Sequence, residues 1–252
     1  MAPSQSELRR RPAAQVPATA PFLSAVFPAY NEEGAVRAVL EEADLALRGG
    51  GFAYEIVVCD DGSRDGTGAI LKELAERMPA LRVMVHEHNR GIQATIEDLY
   101  HGARGDWIFL NGSDGQWKTA EVLRMLPMTA DPRTIVVGRR KVKHYTLWRG
   151  FISAMYNLLP RLLFGVRTYD AGSIKLFPRK LLQDVTLRST GVFREGERLI
   201  RAARRGYRIV PVDVDCAPRR TGKAGGAKPA LIAGAVRDLF LCWWQLVVRR
   251  DR

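Results

Sequence analysis

EIVVCDDGSRDGT, residues 55–67, is the stretch on which the fold turns. Tyr54 to Cys59 is an apolar run of the length of a buried strand. Asp60-Asp61-Gly62-Ser63 has the composition of a tight turn, and a helical pattern runs from Thr67 to Met78. The same order of strand, polar turn and helix recurs on both sides. Upstream, FLSAVFP (22–28) is a short apolar strand ending in proline, and Asn31-Glu32-Glu33 places acids at the positive end of a helix. That helix continues through Val36, Val39, Leu40 and Leu45 to the stop at Gly49-Gly50-Gly51. Downstream come a strand at Leu81–His86, a turn at Asn89-Arg90-Gly91, a helix over 92–102 and a fourth strand, DWIFL (106–110).

Strands alternating with helices imply an α/β fold, a mainly parallel sheet with helices on both faces. In such a sheet the ligand lies at the carboxyl ends of the strands. Four polar clusters fall there: Tyr30-Asn31-Glu32, Asp60-Asp61-Gly62-Ser63, Asn89-Arg90-Gly91 and Asn111-Gly112-Ser113-Asp114. Any one of them would pass as turn chemistry; four in register point to a binding site. Past Asp131 the pattern loosens. A fifth strand is expected at Thr134–Gly138, a helix at 147–164, strands at 173–177 and 209–214, a basic helix at 199–205 and an amphipathic helix at the end.

Charge divides the chain. Up to Pro132 there are 13 Lys/Arg against 19 Asp/Glu; from Arg133 onward there are 26 against 8, so −6 and +18 make the net +12. The asymmetry calls for an anionic partner of the second half: a phosphate-rich substrate or an acidic membrane surface. Nucleic acid would explain the charge but not the acidic strand-end clusters or Trp243-Trp244 in an apolar helix, so none is expected. Three scattered cysteines (Cys59, Cys216, Cys242) fit a reducing compartment and no disulfide framework. Residues 1–21, rich in Ala, Pro, Ser and Arg, read as a disordered leader and not a signal peptide. No uninterrupted apolar stretch reaches ~18 residues, so no spanning helix is expected. Leu231–Arg252, with its Trp pair and terminal arginines, reads instead as an interfacial helix.

SAVFPAYNEE (24–33), EIVVCDDGSRDGT (55–67) and NRGIQATIEDLYHGARG (89–105) at this spacing resemble the first half of the inverting family-two glycosyltransferases, which have the GT-A fold. The later segments resemble their polyprenyl-phosphate branch, the dolichol-phosphate mannose synthase-like enzymes. The resemblance implies that Pro28, Tyr30 and Glu32 line the nucleotide pocket, and that Asp60 or Asp61 contacts base or ribose; a carboxylate can accept their N–H or O–H groups. Gly112-Ser113-Asp114-Gly115-Gln116 resembles the family's Asp-x-Asp-x-Gln, whose carboxylates hold Mg²⁺ or Mn²⁺ on the donor diphosphate. Here Gly112 stands at the first Asp, leaving Asp114 as the metal ligand and Gln116 as the matching glutamine.

Val137-Gly138-Arg139 resembles the branch's Gly-Ser-Arg, which implies that Arg139 faces an acceptor phosphate. Asp170 to Phe177 and Arg194-Glu195-Gly196-Glu197 resemble its Asp-x-x-x-Gly-Phe stretch and the acidic pair after it. Glu195 and Glu197 are the candidate positioning groups, or a base if the acceptor is a hydroxyl. Arg219-Arg220-Thr221-Gly222-Lys223 resembles a basic phosphate loop, in which Arg219 and Lys223 meet the donor diphosphate.

The expected architecture is a leader (1–21), a GT-A domain (22–228) and an amphipathic C-terminal helix (229–252). The expected activity is transfer of a sugar from a UDP- or GDP-sugar to a polyprenyl phosphate, at the cytoplasmic face of a membrane. A soluble transferase with a hydroxylated acceptor, and a non-catalytic nucleotide-sugar-binding protein, stay open on sequence alone. So does a homo-oligomer.

Overall fold

The computed structural model describes residues 22–141, 147–217 and 229–249. The first half follows the alternation read above: β1 (Leu23–Ala29), α1 (Val36–Arg48), β2 (Tyr54–Asp60), α2 (Thr67–Arg77), β3 (Leu81–Val85), α3 (Ile92–Gly102) and β4 (Trp107–Leu110). Then come α4 (Glu121–Met125), β5 (Thr134–Arg140), α5 (Leu147–Phe164), β6 (Lys175–Pro178), α6 (Leu181–Asp184), α7 (Arg194–Arg204), β7 (Arg208–Val214) and α8 (Pro229–Trp243). The seven strands form one sheet in the order β3-β2-β1-β4-β6-β5-β7. All neighbours are parallel except β6, which runs antiparallel to both β4 and β5.

Two cores flank the sheet, because alternate strand residues face opposite sides. Leu23, Ala25 and Phe27 pack with Val36, Leu40 and Leu71 on the α1–α2 side. Val26, Val57 and Ile108 pack with Leu99, Tyr100 and Leu199 on the α3–α7 side. Cys59 belongs to the second core, and burial pushes its thiol up to about 12, as befits a small buried hydrophobe. A third, smaller core joins Phe193 and Ile200 to Ala235, Leu239, Cys242 and Leu246, fastening α8 onto α7. Strand order reverses around β1, with β2 on one side and β4 on the other, and the carboxyl ends of those strands are where such a sheet places its ligand crevice.

Two expectations are corrected. Helix α7 begins at Arg194, not Leu199, so Glu195 and Glu197 lie in its first turn, where acids meet the positive end of the dipole. And the C-terminal helix is, by length and composition, long enough to span: with a π-helical turn at Trp244–Val248 it covers 20 residues, and an 18-residue window within it has mean hydropathy 1.5. The charges that break the run in sequence, Arg237 and Asp238, neutralise each other at 2.9 Å. The helix end is nonetheless tied to the domain, since Arg204 donates to the Leu246 carbonyl at 2.6 Å and Arg201 to Gln245 Oε1 at 3.0 Å.

Candidate active site

The turns after β1 and β2 are laced together. Asn31, at φ 54°, donates its N–H to Ser63 Oγ (2.9 Å) and accepts from the Arg64 N–H (2.9 Å). Glu32 N–H donates to Thr67 Oγ1 (2.8 Å), while its carbonyl accepts the Ala35 and Val36 N–H groups that start α1. Pro28 is half-buried and Tyr30 exposed, beside this seam. Asp60 is buried and accepts the Ser63 N–H (3.0 Å).

Asp61 is committed more deeply. Its oxygens meet His86 Nδ1 (2.7 Å) and the N–H groups of Arg90 (2.8 Å) and Gly91 (2.9 Å). Burial alone would raise its pKa, but these donors outweigh it and leave the carboxyl below its ordinary value. The Thr95 hydroxyl is a further donor to the same carboxyl, and together these contacts clamp the 89–91 turn onto β2. Gly62 allows that closeness: its φ is +69°, and a Cβ there would lie 2.7 Å from the His88 carbonyl carbon.

The loop after β4 holds Asp114, buried, with Oδ1 accepting the Gln116 N–H (3.1 Å). The neighbouring polar groups are taken up by the loop itself. Asn111 Oδ1 accepts the Gly112 N–H (2.7 Å), Asn111 Nδ2 donates to Thr119 Oγ1 (3.2 Å), and Ser113 Oγ donates to the Pro28 carbonyl (2.7 Å). Among the described residues no three His, Cys, Asp or Glu side chains gather as a metal site. A single buried carboxylate such as Asp114 is compatible only with a cation of the Mg²⁺ kind, which takes waters and substrate phosphates as its other ligands. Gln116 anchors a different segment: its carbonyl accepts the Ala217 N–H (2.8 Å) and its amide reaches the Ala217 carbonyl (3.5 Å). Arg219 and Lys223 follow directly in sequence and lie outside the described residues.

Beyond this crevice lies a cavity of about 570 Å³ between α5 and α8. Phe151, Met155, Leu159, Ile232, Val236 and Leu239 make its walls apolar. One end is charged. Arg140, at the carboxyl end of β5, makes a two-pronged ion pair with Asp170 (2.6 and 2.7 Å) and lies over the Trp117 ring. Lys175 pairs with Glu195 at 3.0 Å, both side chains being under a tenth exposed.

The expected roles divide accordingly. Arg139 and Arg140 leave β5 on opposite faces, as Val137 and Val136 do before them. Arg139 goes to the surface and pairs with Asp213 (2.6 Å); Arg140 enters the cavity wall. Glu195 lines the cavity, with Lys175, Arg198 (3.1 Å) and the Tyr100 hydroxyl (3.1 Å) around it. Burial would raise its pKa, but Lys175 and Arg198 outweigh that and hold the carboxyl at about 2. Glu197 points away, accepting the Ser189 N–H (2.7 Å) and binding Arg201 (2.6 Å). The sequence alone assigned no task to Arg140, Asp170 or Lys175. Period-two alternation counted from the buried Val137 would have separated Arg140 from Arg139; nothing local marks Lys175.

Residues 24–186 match the sequence profile described as glycosyl transferase family 2. Over 64% of its length the chain is 30% identical to an undecaprenyl-phosphate 4-deoxy-4-formamido-L-arabinose transferase of Pseudomonas paraeruginosa, covering 48% of that protein. Over 95% of its length it is 29% identical to the glycosyltransferase AglD of Haloferax volcanii, covering 40% of it. The chain thus spans about half the length, or less, of the curated relatives it matches. Among solved structures, it superposes on glucosyl-3-phosphoglycerate synthase from Mycobacterium tuberculosis in complex with uridine diphosphate with a TM-score of 0.71, at 18% identity, covering 88% of this chain and 80% of that one. A mannosyltransferase from Pyrobaculum calidifontis in complex with GDP-mannose and Mn²⁺ gives 0.59, also at 18% identity, covering 96% and 80%. At those identities the likeness is one of fold, and the fold is GT-A.

Proposed function

The chain belongs to glycosyl transferase family 2, and from that premise we propose that it moves a sugar, with inversion, from a nucleoside-diphosphate sugar to the phosphate of a polyprenyl phosphate. The observation that carries the acceptor is the cavity between α5 and α8, whose walls suit an apolar chain and whose charged end, with Arg140 and Lys175, suits an anionic head. The relatives named for undecaprenyl phosphate agree with it.

In this reading Pro28, Tyr30, Glu32, Asp60 and Asp61 form the nucleotide side of the crevice, and the base is uracil or guanine. Asp114 would hold a divalent cation, which would supply positive charge against the departing diphosphate; Arg219 and Lys223 serve the same charge. Gln116 positions the segment that leads to them. Arg140 orients the acceptor phosphate. An oxygen of that phosphate attacks the anomeric carbon, the bond to the diphosphate oxygen breaks, and the diphosphate leaves with the electron pair. No base is required, because the attacking phosphate is already ionised. Glu195 agrees with this. Its carboxylate is already taken up by Lys175 (3.0 Å), Arg198 (3.1 Å) and the Tyr100 hydroxyl (3.1 Å), which makes it a poor base for an acceptor hydroxyl. Positioning and fixed charge then supply the catalysis.

The outward faces of the two cavity helices suit the cytoplasmic surface of an anionic membrane. Leu158 and Leu162 on α5, and Phe240, Leu241 and Trp244 on the C-terminal helix, are exposed apolar groups beside a strongly basic half of the chain. The test is transfer of radiolabelled sugar from UDP- and GDP-sugars into an organic-extractable prenyl phosphate, with Mg²⁺, Mn²⁺ and EDTA arms. Label in the lipid phase supports the reading. Donor consumption with label only in water-soluble product overturns the lipid acceptor.

A further inference from the structure

Lys175 begins β6, opposite Leu110 at the carboxyl end of β4. Its side chain is 2% exposed, yet it lines the charged end of the cavity. An ammonium carries three N–H donors. Among the described residues the one polar partner of this ammonium is Glu195 Oε2, at 3.0 Å. Two donors are left over in a wall that is otherwise largely apolar.

The charges behind it do not balance. Lys175 and Arg198 bind Glu195, and Arg198 and Arg194 bind Glu97. Three cations therefore share two carboxylates. Tyr100, which touches both Glu195 and Arg198, adds no negative charge, because burial pushes its phenol well up. Arg194, 21% exposed, meets solvent, whereas Lys175 at the cavity end is 2% exposed, and a buried charge there is costly unless a ligand anion meets it.

We propose that Lys175 binds the acceptor phosphate, its two spare donors reaching oxygens that Arg140 does not hold. Glu195 is then a positioning residue that aims the ammonium into the cavity. The inference rests on the prenyl-phosphate reading above and adds a second, buried cation to it. An anionic head is then met by two cations of different kind, a guanidinium oriented by Asp170 and an ammonium oriented by Glu195.

Lys175→Met tests it in the full chain. The substitution leaves Arg194 and Arg198 matched by Glu97 and Glu195, so the folded state should persist, which a melting curve checks. With geranylgeranyl phosphate as acceptor in detergent micelles, KM for the prenyl phosphate should rise about 10- to 100-fold, as for a lost charged hydrogen bond. KM for the nucleotide sugar should stay within about twofold, and Lys175→Arg should recover most of the acceptor affinity. Binding of geranylgeraniol, the same chain without phosphate, should be equal in wild type and variant. An unchanged acceptor KM, or an equal loss of geranylgeraniol binding, overturns the proposal. Should Lys175→Met not fold, Lys175→Gln is read by the same two ligands. A wild type that neither binds nor glycosylates geranylgeranyl phosphate overturns the acceptor reading and this inference with it, and the wild-type arm alone reveals that case.

Discussion

Replacing Glu195 by Gln keeps its shape and removes its charge, and it separates two accounts of the site. If Glu195 were a general base, the variant would lose about 10²–10⁴ in kcat with little change in stability. In the present account Glu195 is a fixed charge between Lys175 (3.0 Å) and Arg198 (3.1 Å), so the loss appears in stability. Its carboxyl falls from an ordinary 4.5 to about 2 on folding, which corresponds to about 3 kcal/mol at neutral pH. Leaving a buried cation without its partner costs about 3–5 kcal/mol by a separate route, and the two figures agree. For a chain of this size, about 3 kcal/mol lowers Tm by about 6–12 °C. The sign with pH follows. The contribution is complete above the ordinary carboxylate range and is lost as pH falls through 4.5 towards 2. The wild-type melting temperature should therefore drop across that window, and the Gln variant should show a shallower drop. Differential scanning calorimetry between pH 3 and 7, with single-turnover transfer at neutral pH, reads both quantities. A Tm within about 1 °C of wild type together with a thousandfold loss of turnover would refute the reasoning.

Arg140→Met should raise KM for the prenyl phosphate by about tenfold or more and leave KM for the nucleotide sugar unchanged, since its fork on Asp170 lies at the acceptor cavity; steady-state kinetics on both substrates checks this. Gly112→Asp sets a Cβ 3.1 Å from Asp114 Oδ1 and brings two carboxylates together. Its Tm should fall in EDTA and recover with Mn²⁺ by more than the wild type gains. Trp244→Glu, on the exposed face of the C-terminal helix, should reduce sedimentation with anionic vesicles while transfer to a detergent-dispersed acceptor persists.

The crevice was legible in the sequence because a parallel sheet writes its ligand side into the chain. Each β-strand there is a short apolar run, and each polar cluster follows directly after it, so Asp60, Asp61 and Asp114 announce themselves. Asp61 shows the limit of that reading. The sequence puts it at the site, but only packing reveals that His86, Arg90 and Gly91 take up most of its acceptor capacity. The acceptor side was less legible, since it is built by elements distant in sequence. Lys175 and Glu195 meet because antiparallel β6 enters between β4 and β5 beside the first turn of α7, and no local period encodes that meeting. The C-terminal helix misled a search for unbroken apolar runs, because Arg237 and Asp238 are adjacent and compensate each other within the fold.

Photocrosslinking with a benzophenone-tagged prenyl phosphate, followed by peptide mapping, tests most directly whether the cavity between α5 and α8 receives the acceptor. The account predicts adducts on Phe151, Met155 or Leu239, suppressed by unlabelled prenyl phosphate and far less by the corresponding alcohol. Adducts confined to the exposed outer face of the helices, or competition by nucleotide sugar and not by prenyl phosphate, would contradict it.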